Sequence, residues 1–175
     1  MDLSVSIPRS AVRYTGYVNV LDCLNSYVAP EVMERCGYKC QKCKAVDNME
    51  KDITIFRFPK ILVIHLKRFY NSTMRREKLS TTVNIPESLD MRPYAPHSSK
   101  LFLVRIFLGH SSKNSATYKL YGMSHHSGSL NGGHYIGEVL NLDDGNWYNC
   151  NDSRCSKSYG QPDKSSTSAY VLFYI

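Results

Sequence analysis

Asn131-Gly-Gly-His-Tyr-Ile-Gly137, followed by Trp147-Tyr-Asn-Cys-Asn-Asp-Ser153, decides how this chain is read. The first stretch sets His134 behind Gly132 and Gly133 at the start of an apolar strand. The second sets Asn151 and Asp152 on the next strand of a hairpin. A histidine with an orienting polar partner is two members of a nucleophilic triad. Neither stretch supplies the third member, a nucleophile. Cys150 points by alternation away from the face of Asn151. Cys155 has no helix start behind it, so neither cysteine is read as that nucleophile.

Outward from this hairpin the chain is strand-rich. Thr117 to Met123 reads as a strand ending at Ser124-His-His-Ser-Gly128. Asn141 to Asn146 is a turn, Arg154 to Ser168 a polar surface loop, and Ala169-Tyr-Val-Leu-Phe-Tyr-Ile175 a buried closing strand. Further back, Ile61-Leu-Val-Ile-His-Leu-Lys-Arg-Phe69 is the densest apolar run and the candidate central strand. Leu62, Ile64 and Leu66 share one face of it. His65 and Lys67 share the other, where His65 reads as structural. Lys51 to Phe58 and Leu79 to Pro86 read as strands, and Glu87 to Tyr94 as a turn or short helix. Leu3, Val5 and Ile7 alternate in a strand that opens the chain, as though it were cut from something longer. Asn19 caps an amphipathic helix with Val20, Cys23, Leu24, Tyr27 and Val28 on its apolar face. His97-Ser-Ser-Lys100 recurs as His110-Ser-Ser-Lys113 around a very apolar segment, which suggests an insertion at 101–113.

The 175 residues suffice for one domain with a core. Hydrophobic residues make up 42% and charged residues 21%, as in ordinary globular proteins. The net charge of +7 comes from scattered basic residues, the densest runs being Arg75-Arg76 and Lys67-Arg68. That pattern is a generic basic surface and makes nucleic acid an unlikely partner. No apolar run reaches membrane-spanning length and no signal-like leader is present, so cytoplasm or nucleus is expected. In that compartment the cysteines are expected as free thiols or metal ligands. Cys40-Gln-Lys-Cys43 is the knuckle of a tetrahedral zinc site, and Cys36 can add one ligand. No second CxxC completes it. Zinc is therefore a cofactor for which this sequence carries an incomplete site.

Taken in order, these stretches resemble the ubiquitin-specific proteases, papain-like thiol hydrolases that cut after the last glycine of ubiquitin. The resemblance is carried by Met1-Asp-Leu-Ser4, Asp22-Cys-Leu24, Cys40-Gln-Lys-Cys43, Pro59 to Phe69, Lys78-Leu79 with Val83 to Pro86, and Tyr118-Lys-Leu-Tyr121. It continues through His126-Ser-Gly128, Gly132-Gly-His-Tyr135, Trp147, Asn151-Asp-Ser153 and Ala169 to Tyr174. It implies an α+β, papain-like cysteine peptidase fold: a mostly antiparallel palm sheet and part of the fingers, without the helical thumb. Residues 1–58 would be partial fingers with half a zinc ribbon, and residues 59–175 the palm with its histidine. His134 would be general base and acid, Asn151 would orient the imidazole, and Asp152 would support the oxyanion or the histidine. His126, Gly132, Gly133 and Tyr135 would bind substrate, and Cys40 and Cys43 would ligate metal. The implied partners are ubiquitin and ubiquitinated proteins.

The family's nucleophilic cysteine, after a Gly-Asn-Thr-like turn at a helix start, has no counterpart here. Neither have the thumb and the first CxxC of the fingers. The chain is thus expected to be roughly the C-terminal half of a catalytic domain, inactive alone. The alternative is a non-catalytic ubiquitin-binding module or pseudo-enzyme isoform.

Overall fold

The apolar run at 61–69 becomes a strand inside a large sheet. The computed structural model describes residues 2–10, 12, 16–34, 37–44, 48–71, 76–96 and 116–175. In chain order, β1 (Asp2–Ser6), β2 (Tyr17–Asn19) and helix α1 (Val20–Val28) precede the β3 (Glu31–Met33) and β4 (Met49–Lys51) pair. Next come β5 (Leu62–Lys67), β6 (Phe69–Asn71), β7 (Arg76–Lys78), β8 (Thr82–Asn84) and β9 (Ser88–Asp90), then a 3-10 turn at Arg92–Tyr94. The chain ends in β10 (Thr117–Ser129), β11 (Gly132–Leu140), β12 (Trp147–Asn151), β13 (Arg154–Lys157), β14 (Ser165–Ser166) and β15 (Ala169–Tyr174). The main sheet is ordered β1-β5-β15-β10-β11-β12-β13, with β9 also paired to β10. β1 and β5 are parallel, and its other pairs are antiparallel.

The alternation in β5 sets the core. Leu62, Ile64 and Leu66 are buried, and each faces a buried partner in register: Leu3 and Val5 from β1, Leu172 and Tyr174 from β15. Against β1 packs α1, through Val20, Cys23 and Leu24. Its first turn is closed by Asp22, whose carboxylate accepts the Asn19 N–H at 2.8 Å. Cys23 is core, and burial pushes its thiol up to about 12, so it holds no thiolate near neutral pH.

β1 lies in the main sheet, and β2 pairs with β8. Among the described residues, β1 and helix α1 thus pack with the main sheet, and β2 with β8. β3 and β4 form a separate two-stranded sheet, and the cysteine turn lies between them in the chain. Lys51 to Phe58 does not form the expected strand. Pairing stops at Lys51, and Ile55 is buried as an irregular segment that donates its N–H to the Tyr94 carbonyl. Residues 97–115, with the suggested insertion, lie outside the described residues, as does Cys36.

Arg68 corrects the reading of Lys67-Arg68 as surface charge. Lys67 is exposed, whereas Arg68 is 0% exposed. Its guanidinium donates to four main-chain carbonyls: Ala169 at 2.6 Å, Thr81 at 2.8 Å, Ser166 at 3.0 Å and Leu79 at 3.1 Å. Burial lowers its pKa to about 10, so it stays charged at neutral pH. It bolts the β7–β8 turn to the segment entering β15.

Candidate active site

β10 and β11 form a hairpin over the two-residue turn Leu130-Asn131, and His134 sits near its tip opposite Ser127. β12 pairs with β11 from Gly137 to Leu140 and turns back into β13 at Asp152-Ser153. Asp152 takes φ +49, a left-handed conformation that Asp tolerates better than most residues. The result brings His134 to Asn151: Nε2 lies 2.6 Å from Oδ1. An amide oxygen only accepts, so Nε2 carries a proton, and in the neutral ring the lone pair is on Nδ1. The His134 ring is exposed. It is therefore held in the tautomer that can take a proton from an incoming thiol.

Asp152 is exposed at the turn, and the partner of the His134 ring is Asn151. Tyr135 is half exposed on the next position of β11. His126 is 4% exposed, and its ring packs against Phe69, Tyr135 and Tyr170 at centroid distances of 5.2, 4.7 and 6.3 Å. A Cβ at Gly133 would overlap this ring and the Ser127 carbonyl, while a Cβ at Gly132 meets nothing within 4 Å. The two glycines thus serve different ends. Gly133 admits the histidine beneath the hairpin, and Gly132 leaves its outer side clear. Beside the hairpin lies a cleft of about 820 Å³, lined by His126, Ser127 to Asn131, Lys78, Ser80, Thr167 and Ser168. The Lys78 ammonium donates to the carbonyls of His126 (2.7 Å) and Gly128 (3.1 Å), pinning that end of β10.

Two features escaped the sequence, and a third was legible only in part. His125 bridges Glu138 (Nε2 to Oε2, 2.9 Å) and the Ser168 hydroxyl (Nδ1 to Oγ, 3.1 Å), tying β10 and β11 to the entry of β15. A lone glutamate in the apolar run of β11 was the available hint. Lys78 was legible only as part of a motif. Cys150 and Cys155, expected as free thiols, are joined in a disulfide.

Cys40 and Cys43 lie together in a tight turn. The Lys44 N–H bonds the Cys40 carbonyl at 2.9 Å, and Lys44 takes φ +61. Main-chain N–H groups of Cys43 and Lys42 pull the Cys40 thiol below its ordinary pKa. This donor set suits one edge of a tetrahedral metal site. Among the described residues no group of three or more His, Cys, Asp or Glu side chains forms a metal site. Two thiols do not fit a closed structural zinc site, which takes four ligands.

His65 and His126 set an acid limit on stability. Burial lowers the pKa of both, helped by the charges of Lys67 and Lys78 respectively. His65 Nε2 and His126 Nδ1 are buried with no hydrogen-bond partner among the described residues. Both rings are favoured neutral in the fold, whereas the unfolded chain protonates them near pH 6.5. Below that the unfolded state binds more protons. Stability is then complete above about pH 6.5 and falls as pH drops toward the lowered folded values. Urea midpoints at pH 7.5 and about 5.5 should show the loss, with up to roughly two protons taken up on unfolding. A midpoint constant across that window would contradict it.

The family model for ubiquitin carboxyl-terminal hydrolase matches residues 31–174. The chain is 37% identical over 175 residues to ubiquitin carboxyl-terminal hydrolase 2 of Gallus gallus, covering 99% of this chain and 44% of that protein. It is 35% identical over 177 residues to ubiquitin carboxyl-terminal hydrolase 2 of Homo sapiens, covering 26% of it. It thus spans less than half the length of these curated relatives. Among solved structures, it superposes on the SAGA DUB module bound to ubiquitin aldehyde with a TM-score of 0.73 and 27% identity, covering 99% of this chain and 35% of that one. A second match is the SAGA DUB module bound to monoubiquitin, with a TM-score of 0.73, 28% identity, and 99% and 34% coverage.

Proposed function

The chain belongs to the ubiquitin carboxyl-terminal hydrolase family, and on that premise we propose that it carries the proton-transfer half of a cysteine deubiquitinase site. The observation that supports this most directly is the exposed His134 with Nε2 committed to Asn151 and Nδ1 open. In the reaction, Nδ1 takes the proton of a thiol, and the thiolate attacks the carbonyl of the last glycine of ubiquitin. The imidazolium then gives its proton to the departing amine. Water next attacks the acyl-thioester, His134 taking its proton, and the C–S bond breaks to release the ubiquitin carboxylate and return the thiol. Asn151 fixes the tautomer throughout and need not ionise. Gly132 and Tyr135 border the path of the extended tail.

None of the described cysteines is placed to act as the nucleophile. Cys23 is core, Cys40 and Cys43 lie between β3 and β4 in the chain, and Cys150 and Cys155 are bonded to each other. We therefore expect the isolated chain to hold the ubiquitin tail without cutting it, in the cytoplasm or nucleus. Zinc remains a proposal for the cysteine turn, since the described thiols supply only half a site.

Titrating the isotope-labelled chain with ubiquitin tests the reading. Signals of Gly132, His134 and Tyr135 should shift saturably with intact ubiquitin and stay fixed with ubiquitin lacking its two terminal glycines. Equal shifts with both forms, or none with either, would sink it.

A further inference from the structure

We propose that Cys150 and Cys155 form a reversible thiol-modification site that exchanges with low-molecular-weight disulfides, and that its oxidation state sets how firmly Asn151 holds His134. The pair closes a six-residue hairpin, Cys-Asn-Asp-Ser-Arg-Cys, around the two-residue turn Asp152-Ser153. Cys150 and Cys155 are directly opposed in the β12–β13 register, with Cα atoms 4.1 Å apart. That is the closely spaced, non-hydrogen-bonded kind of antiparallel pair, where facing side chains meet without backbone movement. Bond formation and breakage therefore cost the sheet little rearrangement. Access is also present: Cys155 is exposed on the edge strand β13, and Cys150 is half-buried behind it. Buried disulfides resist exchange because no thiolate reaches them; this one is open along β13.

The chemistry balances with a small disulfide such as oxidised glutathione as oxidant. The Cys155 thiolate attacks one glutathione sulfur, breaking that S–S bond and releasing a glutathione thiolate. The Cys150 thiolate then attacks the Cys155 sulfur and expels the second glutathione. Two protein thiols lose two electrons and two protons, and oxidised glutathione gains them as two thiols.

The consequence reaches the site because Asn151 lies inside the loop. Asn151 faces Arg154 in register, and the next pair along is Cys150 with Cys155. β13 is exposed at all four positions, so no buried apolar contact holds it to β12. The cross-link supplies that hold. Once it is reduced, the turn carrying Asn151 depends on backbone pairing alone, and the His134–Asn151 bond loosens. Asn151 is here a positioning residue, and the second half of the proposal rests on the functional reading of His134.

The test uses the full chain in glutathione buffers of graded ratio. Intact mass and thiol counting should show a reversible loss of two hydrogens, mapped to a Cys150–Cys155 peptide. Amides of residues 151–155 should exchange at least about tenfold more slowly in the oxidised chain, as expected for closing a short loop. The His134 imidazole resonances should differ between the two states. In Cys155→Ser they should not respond to the glutathione ratio. A stable mixed disulfide, or a bond mapped to Cys40 and Cys43 instead, would overturn the exchange site. Identical His134 resonances in both states would overturn the coupling, whether or not ubiquitin binds. Because the reduced wild-type chain is itself one arm, the comparison stands even where the variant folds poorly.

Discussion

Replacing Arg68 by methionine should cost about 3–5 kcal/mol of stability, because four carbonyls lose the same buried donor. The side chain is fully buried, and all four of its contacts are main-chain carbonyls that no other described side chain is recorded as serving. Methionine fills similar space but donates nothing, so these acceptors lose their partner in a place where water enters poorly. Lysine should rescue only part of the loss, because one ammonium cannot reproduce a fork that spans Ala169, Ser166, Leu79 and Thr81. The effect should extend to the site. Arg68 holds Ser166 and Ala169, and between them the Ser168 carbonyl accepts the His126 N–H at 2.9 Å. Urea unfolding of both variants, followed by tyrosine fluorescence, measures this. A loss below about 1 kcal/mol in Arg68→Met would mean that water solvates those carbonyls.

The second large effect separates two adjacent glycines. Gly133→Ala should cost about 2–3 kcal/mol, at the upper end for overpacking, because its Cβ meets a strand carbonyl that cannot move alone as well as the His126 ring. Gly132→Ala should stay within about 0.5 kcal/mol, since its Cβ meets open space. Its consequence should instead appear in ubiquitin binding, where the added methyl group narrows the path of the tail. Thermal melts of the two variants give the first comparison, and titration with ubiquitin gives the second. Equal stability of both variants would remove Gly133 from its packing role.

Much of this was legible in the sequence for a physical reason. β5, β1, β15 and α1 each bury one face, so their apolar spacing shows the element and the face together. His134 and Asn151 were legible as a pair because a short turn joins their strands. What escaped lies where pairing, rather than side-chain pattern, makes the structure. β10 runs on to Ser129, past Met123, because β11 and β15 flank its polar stretch. β13 presents four exposed residues and exists only through its ladder with β12. A polar edge strand and a polar loop look alike in sequence. Arg68 misled for a related reason: next to Lys67 it reads as surface charge, and only the carbonyls gathered from 11 to 101 residues away make it an interior residue.

Ubiquitin bearing a thiol-reactive electrophile at its C-terminus separates a proton-transfer half-site from a complete one. The chain should bind this probe and form no covalent adduct, because no described cysteine is free and within reach of His134. A stable adduct, located by mass spectrometry on any cysteine of this chain, would contradict it and make that cysteine the nucleophile.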